Sequence, residues 1–177
     1  MTQSQPTPQN DTPAISTPGD LAAALGRIPS GLFVVTWRDD GCDRGMLASW
    51  VMQAGFDPPL VTVAVAPSRG LFTAVESGSP FVVNVLAENQ RPLLARFGKP
   101  AGAGENPFEG LAIGRSGSGA ATIAGAAAWL ECIPLPAPTA GAALSGDHAI
   151  VLARVESASA SADLGPLVHL RKNGLRY

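Results

Sequence analysis

Few residues in this chain are suited to redox or acid–base chemistry. Its 177 residues include two histidines and two cysteines, Cys42 and Cys132, which stand about ninety positions apart. These four residues show none of the spacings typical of zinc or iron–sulfur sites, so we predict no metal centre. The spacing does not indicate a disulfide either. Any redox chemistry must therefore come from a bound organic cofactor.

Two glycine-containing motifs invite a functional interpretation. Gly146-Asp147-His148 precedes a predicted strand, and the residues alone favour a turn in which the aspartate bonds its own backbone. An Asp-His pair without a nucleophile in a strand-to-helix elbow does not indicate a hydrolase. The glycines from Gly114 to Gly119 lack dinucleotide-binding spacing, so we predict a flexible loop there. Composition and spacing by themselves indicate no more than a soluble barrel that could hold a redox ligand.

The elements that must position these residues are mostly strands. An Asp-Gly turn within residues 38–41 predicts a hairpin, and residues 60–65 are apolar on both faces, which predicts a buried strand. The Gly-, Ala-, Ser- and Pro-rich stretch from 98 to about 125 predicts mostly loop. Short helices are predicted at residues 21–25, 71–75 and 90–97. Strands are predicted at residues 32–37, 45–50, 60–65, 81–86, 126–133, 149–156 and 166–170.

Length and composition restrict the class of protein. Residues 1–17 are polar and Pro-rich and predict a disordered tail, and residues 18–177 fit one domain. Lys and Arg number 12 against 14 Asp and Glu, with no basic stripe, so a nucleic-acid partner is not expected. No apolar run approaches the ~20 residues of a membrane span, and we predict a cytoplasmic protein. The low charged fraction of 15% predicts that apolar surface is buried in a homodimer.

Six ordered motifs resemble one family. They lie at residues 27–36, 45–50, 57–61, 81–88, 129–132 and 146–148. In this order they resemble the flavin reductase-like, FMN-binding split-barrel family, and most of all the C-terminal flavin reductase module of cyanobacterial flavodiiron proteins. The resemblance runs from about Leu25 to Tyr177. It implies a mainly β fold, a split β-barrel with a few short peripheral helices.

The resemblance also implies a set of cofactor-binding residues. The flavin ring would lie along the backbone of Arg44, Gly45, Met46, Leu47, Ala48, Ser49 and Trp50. The FMN phosphate and ribityl chain would contact the turn formed by Ala64, Val65, Ala66, Ser68, Arg69 and Gly70. Further contacts would come from Arg96, Phe97 and Asp147.

Each assignment has a chemical rationale and a plainer alternative. Gly45 permits close backbone approach, and the Arg69 guanidinium can bind a phosphate dianion. Packing alone would also account for Met46, Leu47 and Phe97, and a solvated surface position for Arg69. Many family members carry a small hydroxyl residue where Leu47 and Trp50 stand, which predicts fewer hydrogen bonds to flavin in this chain.

The resemblance implies an NAD(P)H:flavin oxidoreductase. His148 would be the catalytic residue, orienting NADH or NADPH or steadying charge at reduced FMN rather than acting as a general base. Hydride would pass from nicotinamide to FMN at the dimer interface. Because the di-iron and flavodoxin modules of flavodiiron proteins are absent from this sequence, electrons would go to free flavin, oxygen or a redox partner protein. Two alternatives stay open: an FMN electron carrier reduced by a protein donor, and a non-enzymatic flavin-binding protein.

Overall fold

The computed structural model describes residues 17–102, 105–136 and 146–175, which include three α-helices and eleven strands. The predicted tail lies outside the described residues except for Thr17. The strands are β1 (Ser30–Gly31), β2 (Phe33–Asp39), β3 (Cys42–Ala48), β4 (Val51–Phe56), β5 (Pro59–Val65), β6 (Phe81–Val85), β7 (Ile113–Arg115), β8 (Ala121–Ile123), β9 (Ala128–Pro134), β10 (Ala149–Ala160) and β11 (Val168–His169). The helices are α1 (Pro18–Gly26), α2 (Gly70–Glu76) and α3 (Pro92–Phe97), with one 3₁₀ turn at Glu88–Gln90.

Seven strands form one antiparallel sheet in the order β3-β2-β6-β9-β10-β5-β4. The predicted β2–β3 hairpin is confirmed, and both of its turn residues, Asp40 and Gly41, have positive φ angles. Positive φ at both central positions is the two-residue turn whose twist suits paired strands. The sheet therefore begins with the connection that the Asp-Gly pair predicts.

The two edges of this sheet, β3 and β4, are joined by only Ser49 and Trp50. Fully extended chain rises at most ~3.6 Å per residue, so Ala48 and Val51 lie within about 11 Å of each other. A seven-stranded sheet whose edges come this close must curl into a barrel. Because no ladder joins β3 to β4 within the described residues, the barrel is split along this line, which we call the seam.

Two apolar clusters lie on opposite faces of the sheet. The cluster inside the barrel, the barrel core, comprises Val35, Trp37, Met46, Ala48, Val61, Val63, Val65, Leu71, Phe81, Val83, Cys132, Val151 and Ala153. The cluster outside β2, the outer core, comprises Leu32, Val34, Leu86, Leu93, Phe97, Phe108, Ala121, Ile123 and Leu167. Alternate residues of β2 enter the two clusters, as the two-residue period of a strand requires.

The prediction that β5 is buried on both faces is wrong for its outer face. Val61, Val63 and Val65 are buried in the barrel core, whereas Leu60, Thr62 and Ala64 on the other face are half-buried. Nothing in the described part of the chain covers that outer face fully. Packing within the cores of this chain therefore does not account for the apolar residues on that outer face.

The stretch predicted as mostly loop contains the short β7–β8 hairpin. The buried Asn84 side chain accepts a hydrogen bond from the Ile123 amide at 2.7 Å and donates to the Val34 carbonyl at 3.1 Å. The Thr36 hydroxyl donates to the Ala121 carbonyl at 2.6 Å. Buried polar groups are costly unless paired, so these bonds fix β8 on the sheet.

The Ser116–Gly119 turn of this hairpin is also fixed rather than free. The buried carboxylate of Glu131 accepts hydrogen bonds from the Ser118 amide at 2.6 Å and from the Ser157 hydroxyl at 2.9 Å. Burial alone would raise the pKa of Glu131, but hydrogen bonds from Ser118, Ser116 and Ser157 outweigh it and lower the pKa to about 2. Glu131 is therefore an ionised anchor for a turn that glycine content alone describes as flexible.

Helix α1 belongs to a separate compact unit with the C-terminal residues from Leu170 onward. Thr17 caps it in a reciprocal pair with Asp20, and Pro18 occupies its first turn. The Gly174 amide donates to the Ala22 carbonyl at 2.8 Å. The predicted short helix ending near Gly26 is confirmed.

Candidate functional site

The structure brings three sequence-predicted segments together at one end of the seam. The Ala64 amide donates to the Trp50 carbonyl at 2.9 Å, which attaches the seam linker to β5. Val65 pairs with Ala149, so His148 directly follows this pairing at the start of β10. The rings of Trp50 and His148 meet edge to face, with centroids 4.8 Å apart. We call Trp50, Ala64, Ala66, Asp147 and His148 the seam cluster.

The Asp147–His148 pair gives the seam cluster its charge. His148 Nδ1 lies 2.9 Å from the Asp147 carboxylate. The imidazole side chain is 18% exposed, whereas that of Asp147 is 93% exposed. The hydrogen bond from His148, and the positive charge of that ring when it is protonated, lower the pKa of Asp147, so its carboxylate is ionised at neutral pH. The solvent-exposed carboxylate of Asp147 thus holds the largely covered imidazole ring of His148.

The predicted phosphate-binding turn leaves the seam cluster and leads into α2. The Arg69 amide donates to the Ala66 carbonyl at 2.9 Å, closing a turn with Pro67 at its second position. Arg69 is half-buried and Ser68 exposed. A side chain at Gly70 would approach the Trp37 ring to 3.2 Å, so this glycine has a packing role. The turn presents one guanidinium and one hydroxyl next to the seam cluster.

Most of the β3 segment is committed to packing. Met46 and Ala48 lie in the barrel core, and Leu47 packs against the outer core. A Cβ at Gly45 would come within 2.8 Å of Phe97 and 3.0 Å of Phe108, so aromatic rings already occupy that space. Arg44 is exposed and lies 3.6 Å from the Asp39 carboxylate.

Because most of its side chains are packed, β3 can offer a ligand chiefly its backbone N–H and C=O groups. It is an edge strand with one neighbour, β2, in the seven-stranded sheet. Alternate N–H and C=O groups of an edge strand point away from its partner. The buried Ser49 continues this edge toward Trp50.

Helix α3 places its two predicted ligands differently. Phe97 is 1% exposed and packs against Phe108, with ring centroids 5.3 Å apart in the outer core. Arg96 is exposed on the same helix. The structure thus groups Phe97 with the β3 packing and not with the seam cluster.

Comparison with known proteins decides the family. The sequence pattern of the flavin reductase like domain matches residues 25–174. The chain belongs to the flavin reductase-like family. Diflavin flavoprotein A 1 of Synechocystis sp. is 37% identical over 164 residues, which cover 92% of this chain and 28% of that protein. The chain spans about a quarter of the length of the curated relatives it matches first.

Solved structures of other proteins share the fold. The NADH:FAD oxidoreductase of Streptomyces globisporus C-1027, described in complex with NAD and FAD fragments, has a TM-score of 0.75 at 27% identity. The match covers 89% of this chain and 88% of that one. The styrene monooxygenase flavin reductase of Pseudomonas putida S12 has a TM-score of 0.70 at 25% identity, covering 85% and 91% of the two chains. The predicted mainly β, split-barrel fold is confirmed.

The sequence predicted exposed apolar surface in this flavin reductase-like chain but did not predict its position beside the seam cluster. Met52 is 70% exposed and Ile150 is 56% exposed. The register pairs Ile150 with Ala64 and Met52 with Thr62, so both lie on the outer face of β4, β5 and β10. The available signal was the apolar outer row of β5. Exposed apolar surface of this kind is typical of interaction sites.

Three further features of the described residues bear on the site. They contain no group of three or more His, Cys, Asp or Glu side chains placed to hold a metal ion. No helix among them combines the length and apolar character of a membrane span. Cys132 is buried, and burial together with the charge of Glu131 raises the pKa of its thiol to about 12. The seam cluster, with its ring contact and its hydrogen-bonded imidazole, is the candidate site that the geometry favours.

Proposed function

We propose that the protein is a flavin reductase, an NADH- or NADPH-dependent oxidoreductase that holds FMN at the seam. The observation that carries this proposal is the seam cluster, where an aromatic side chain, an imidazole and the barrel's open edge come together. The proposal is supported by the family and by the Streptomyces relative, which is described with NAD and FAD fragments. We assign the activity to one cytoplasmic flavin-binding domain of residues 18–177.

The residues present fit a flavin in a particular way. Trp50 is 39% exposed and its indole would lie beside the planar flavin ring, while the β3 edge offers main-chain donors and acceptors. Arg69 and Ser68 suit a phosphate. Gly45 contributes its backbone only, because Phe97 and Phe108 occupy the space beside it. Side chains of Met46, Leu47, Ala48 and Phe97 support the site by packing.

Bound FMN would supply a ring that accepts hydride from a reduced nicotinamide and passes electrons to free flavin, oxygen or a partner protein. The chain's own residues bind and orient. His148, held by Asp147 and Trp50, positions the pyridine nucleotide, and no nucleophile is required. The surrounding apolar side chains exclude water from the slot.

The same proposal includes a homodimer. Met52 and Ile150 expose apolar surface beside the seam cluster, and a second copy is the occupant that would cover it. Sedimentation at micromolar concentration should give twice the chain mass of 18.0 kDa. A single-chain mass with FMN bound would overturn this part of the proposal.

Anaerobic stopped-flow mixing tests the enzymatic assignment. The FMN-loaded protein is mixed with NADH and, separately, with NADPH, and the visible flavin band is followed. We expect at least one nucleotide to bleach the band completely. If neither does so while dithionite does, the protein is a flavin carrier reduced by a protein donor or a flavin-binding protein, and the reductase assignment is wrong.

A further inference from the structure

The contacts of His148 restrict the protonation of its ring. Nδ1 lies 2.9 Å from a carboxylate oxygen of Asp147. An ionised carboxylate has no proton to donate and can only accept a hydrogen bond. Nδ1 must therefore carry the hydrogen. In the neutral imidazole this leaves Nε2 with a lone pair, so Nε2 accepts and does not donate.

The ring is also restrained from a second side. Trp50 contacts it edge to face at 4.8 Å between centroids, and the Trp50 backbone is tied to Ala64 of β5. His148 precedes β10, whose pairing with the same strand fixes the backbone on both sides of the contact. Two contacts from different parts of the chain hold the imidazole, and Nε2 is the nitrogen that remains for a ligand.

Asp147 itself is an exposed residue with little packing of its own. Its side chain is 93% exposed, whereas the imidazole that it holds is 18% exposed. An exposed carboxylate contributes little to folding through an ion pair. Its distinct chemical effect is on which nitrogen of His148 carries the proton.

We propose that Asp147 is a positioning residue that keeps neutral His148 in the Nδ1–H form, so that Nε2 accepts a hydrogen bond from an amide N–H of the bound ligand. This inference rests on the proposed function, because two amide groups would be available in that site. One is the carboxamide of the reduced nicotinamide and the other is the ring imide N–H of the flavin. Both present the same chemistry to Nε2.

Nitrogen-15 NMR of the unliganded protein tests the tautomer directly. His148 and His169 are the only histidines, so two imidazole spin systems are expected. At about pH 8, where an ordinary histidine is neutral, we expect His148 as Nδ1–H. In Asp147→Ala it should change to Nε2–H, while Asp147→Asn, which keeps an acceptor oxygen, should retain Nδ1–H. His169 should not change.

An Nε2–H tautomer of His148 in the unaltered protein would overturn the proposal. So would an unchanged tautomer in Asp147→Ala. Neither measurement needs reductase activity, so failure here is distinguishable from failure of the proposed function.

A binding comparison identifies the donor. Nicotinic acid adenine dinucleotide, in reduced form, carries a carboxylate in place of the carboxamide, and 3-methyl-FMN lacks the imide N–H. We expect the unaltered protein and Asp147→Asn to favour one amide-bearing ligand over its analogue about ten-fold, and Asp147→Ala to lose that preference. Preference within the nucleotide pair places the nicotinamide at Nε2, and preference within the flavin pair places the flavin there.

The two Asp147 variants separate charge from tautomer. Both remove the negative charge, but only Asp147→Ala removes the acceptor. Equal loss of preference in both variants would show that charge alone acts, and would contradict the proposal. Absence of any preference in the unaltered protein for either pair would do the same.

Discussion

The segment Arg44–Trp50 divides at Ala48 into two regions of opposite character. Residues 46–48 place their side chains in the barrel core or against the outer core, and Gly45 lies against Phe97 and Phe108. Ser49 and Trp50 instead join the two edges of the sheet, and the Trp50 ring contacts His148 at one end of the seam. The resemblance assigns this whole segment to flavin binding. In the structure its first part packs the cores, and only its last part contacts the seam cluster through side chains. Substitutions should therefore separate stability from function along these few residues.

The largest effect should come from the packed region. Phe97→Ala removes a ring that is 1% exposed and lies against Phe108 and Gly45. Such a truncation leaves a cavity and should lower the free energy of unfolding by about 3–5 kcal/mol. Urea unfolding followed by circular dichroism measures this.

Its neighbour Arg96 is the matched control, because it is exposed on the same helix. Arg96→Ala should change the free energy of unfolding by less than about 0.5 kcal/mol. Similar decreases in the free energy of unfolding of both variants would mean that the helix as a whole stabilises this region, and not the packing of Phe97.

The next largest effect on stability should come from the buried carboxylate of Glu131. The exposed carboxylate of Asp147 in the seam cluster is its counterpart. Glu131 is 6% exposed, and its pKa is lowered from 4.5 to about 2 in the folded protein. A carboxyl pKa lowered by folding adds stability above the unfolded-state pKa, and that stability is lost as pH falls toward the folded-state pKa. Glu131→Gln should cost up to about 3 kcal/mol at pH 7.

The difference in unfolding free energy between the unaltered protein and Glu131→Gln should shrink as pH falls from about 5 to about 2. Asp147→Asn, in contrast, should leave the urea midpoint unchanged at pH 7, because its carboxylate is exposed. A pH-independent Glu131 effect would contradict the assignment of an ionised anchor.

Substitutions in the seam cluster should have the smallest effect on stability. Their effect on activity should be larger for the rate of reduction than for FMN affinity. His148→Ala removes a largely covered ring at a strand start, outside both apolar clusters, and should lower the urea midpoint much less than Phe97→Ala does. We expect the rate of reduction by NADH or NADPH to fall about ten- to a hundred-fold, with FMN affinity changing about three-fold or less. Stopped-flow reduction and fluorescence titration measure the two quantities. Unchanged reduction would remove the role given to His148.

The sequence was sufficient for most of the fold. The β-branched and aromatic runs, the Asp-Gly turn and the apolar run at residues 21–25 predicted the β2–β3 hairpin, α1 and strands β2, β3, β5, β6, β9 and β10. The sequence missed the edge strand β4. It did not predict the β7–β8 hairpin, because what fixes that hairpin is the set of long-range bonds from Asn84, Thr36 and Glu131. Such contacts join residues far apart in the chain and leave no local pattern.

The site was predictable in part, and through the resemblance more than through the residues. Gly146-Asp147-His148 alone favoured a turn, and only the β5–β10 register shows that His148 lies beside Trp50 and Ala64. Gly45 was assigned to close backbone approach by a ligand, and the structure shows a second reason for glycine there, because Phe97 and Phe108 occupy the space that a Cβ would need. A glycine gives the same signal in either case, since what fills the space depends on tertiary packing.

The account depends on flavin lying at the seam, and the indole signals report this most directly. The chain has three tryptophans, Trp37, Trp50 and Trp129, and so gives three indole N–H resonances. In a proton–nitrogen NMR titration with FMN, we predict that Trp50 shifts most and that the His148 imidazole shifts with it. If the Trp50 and His148 signals stay in place while the protein binds FMN, the flavin lies elsewhere and the account is wrong.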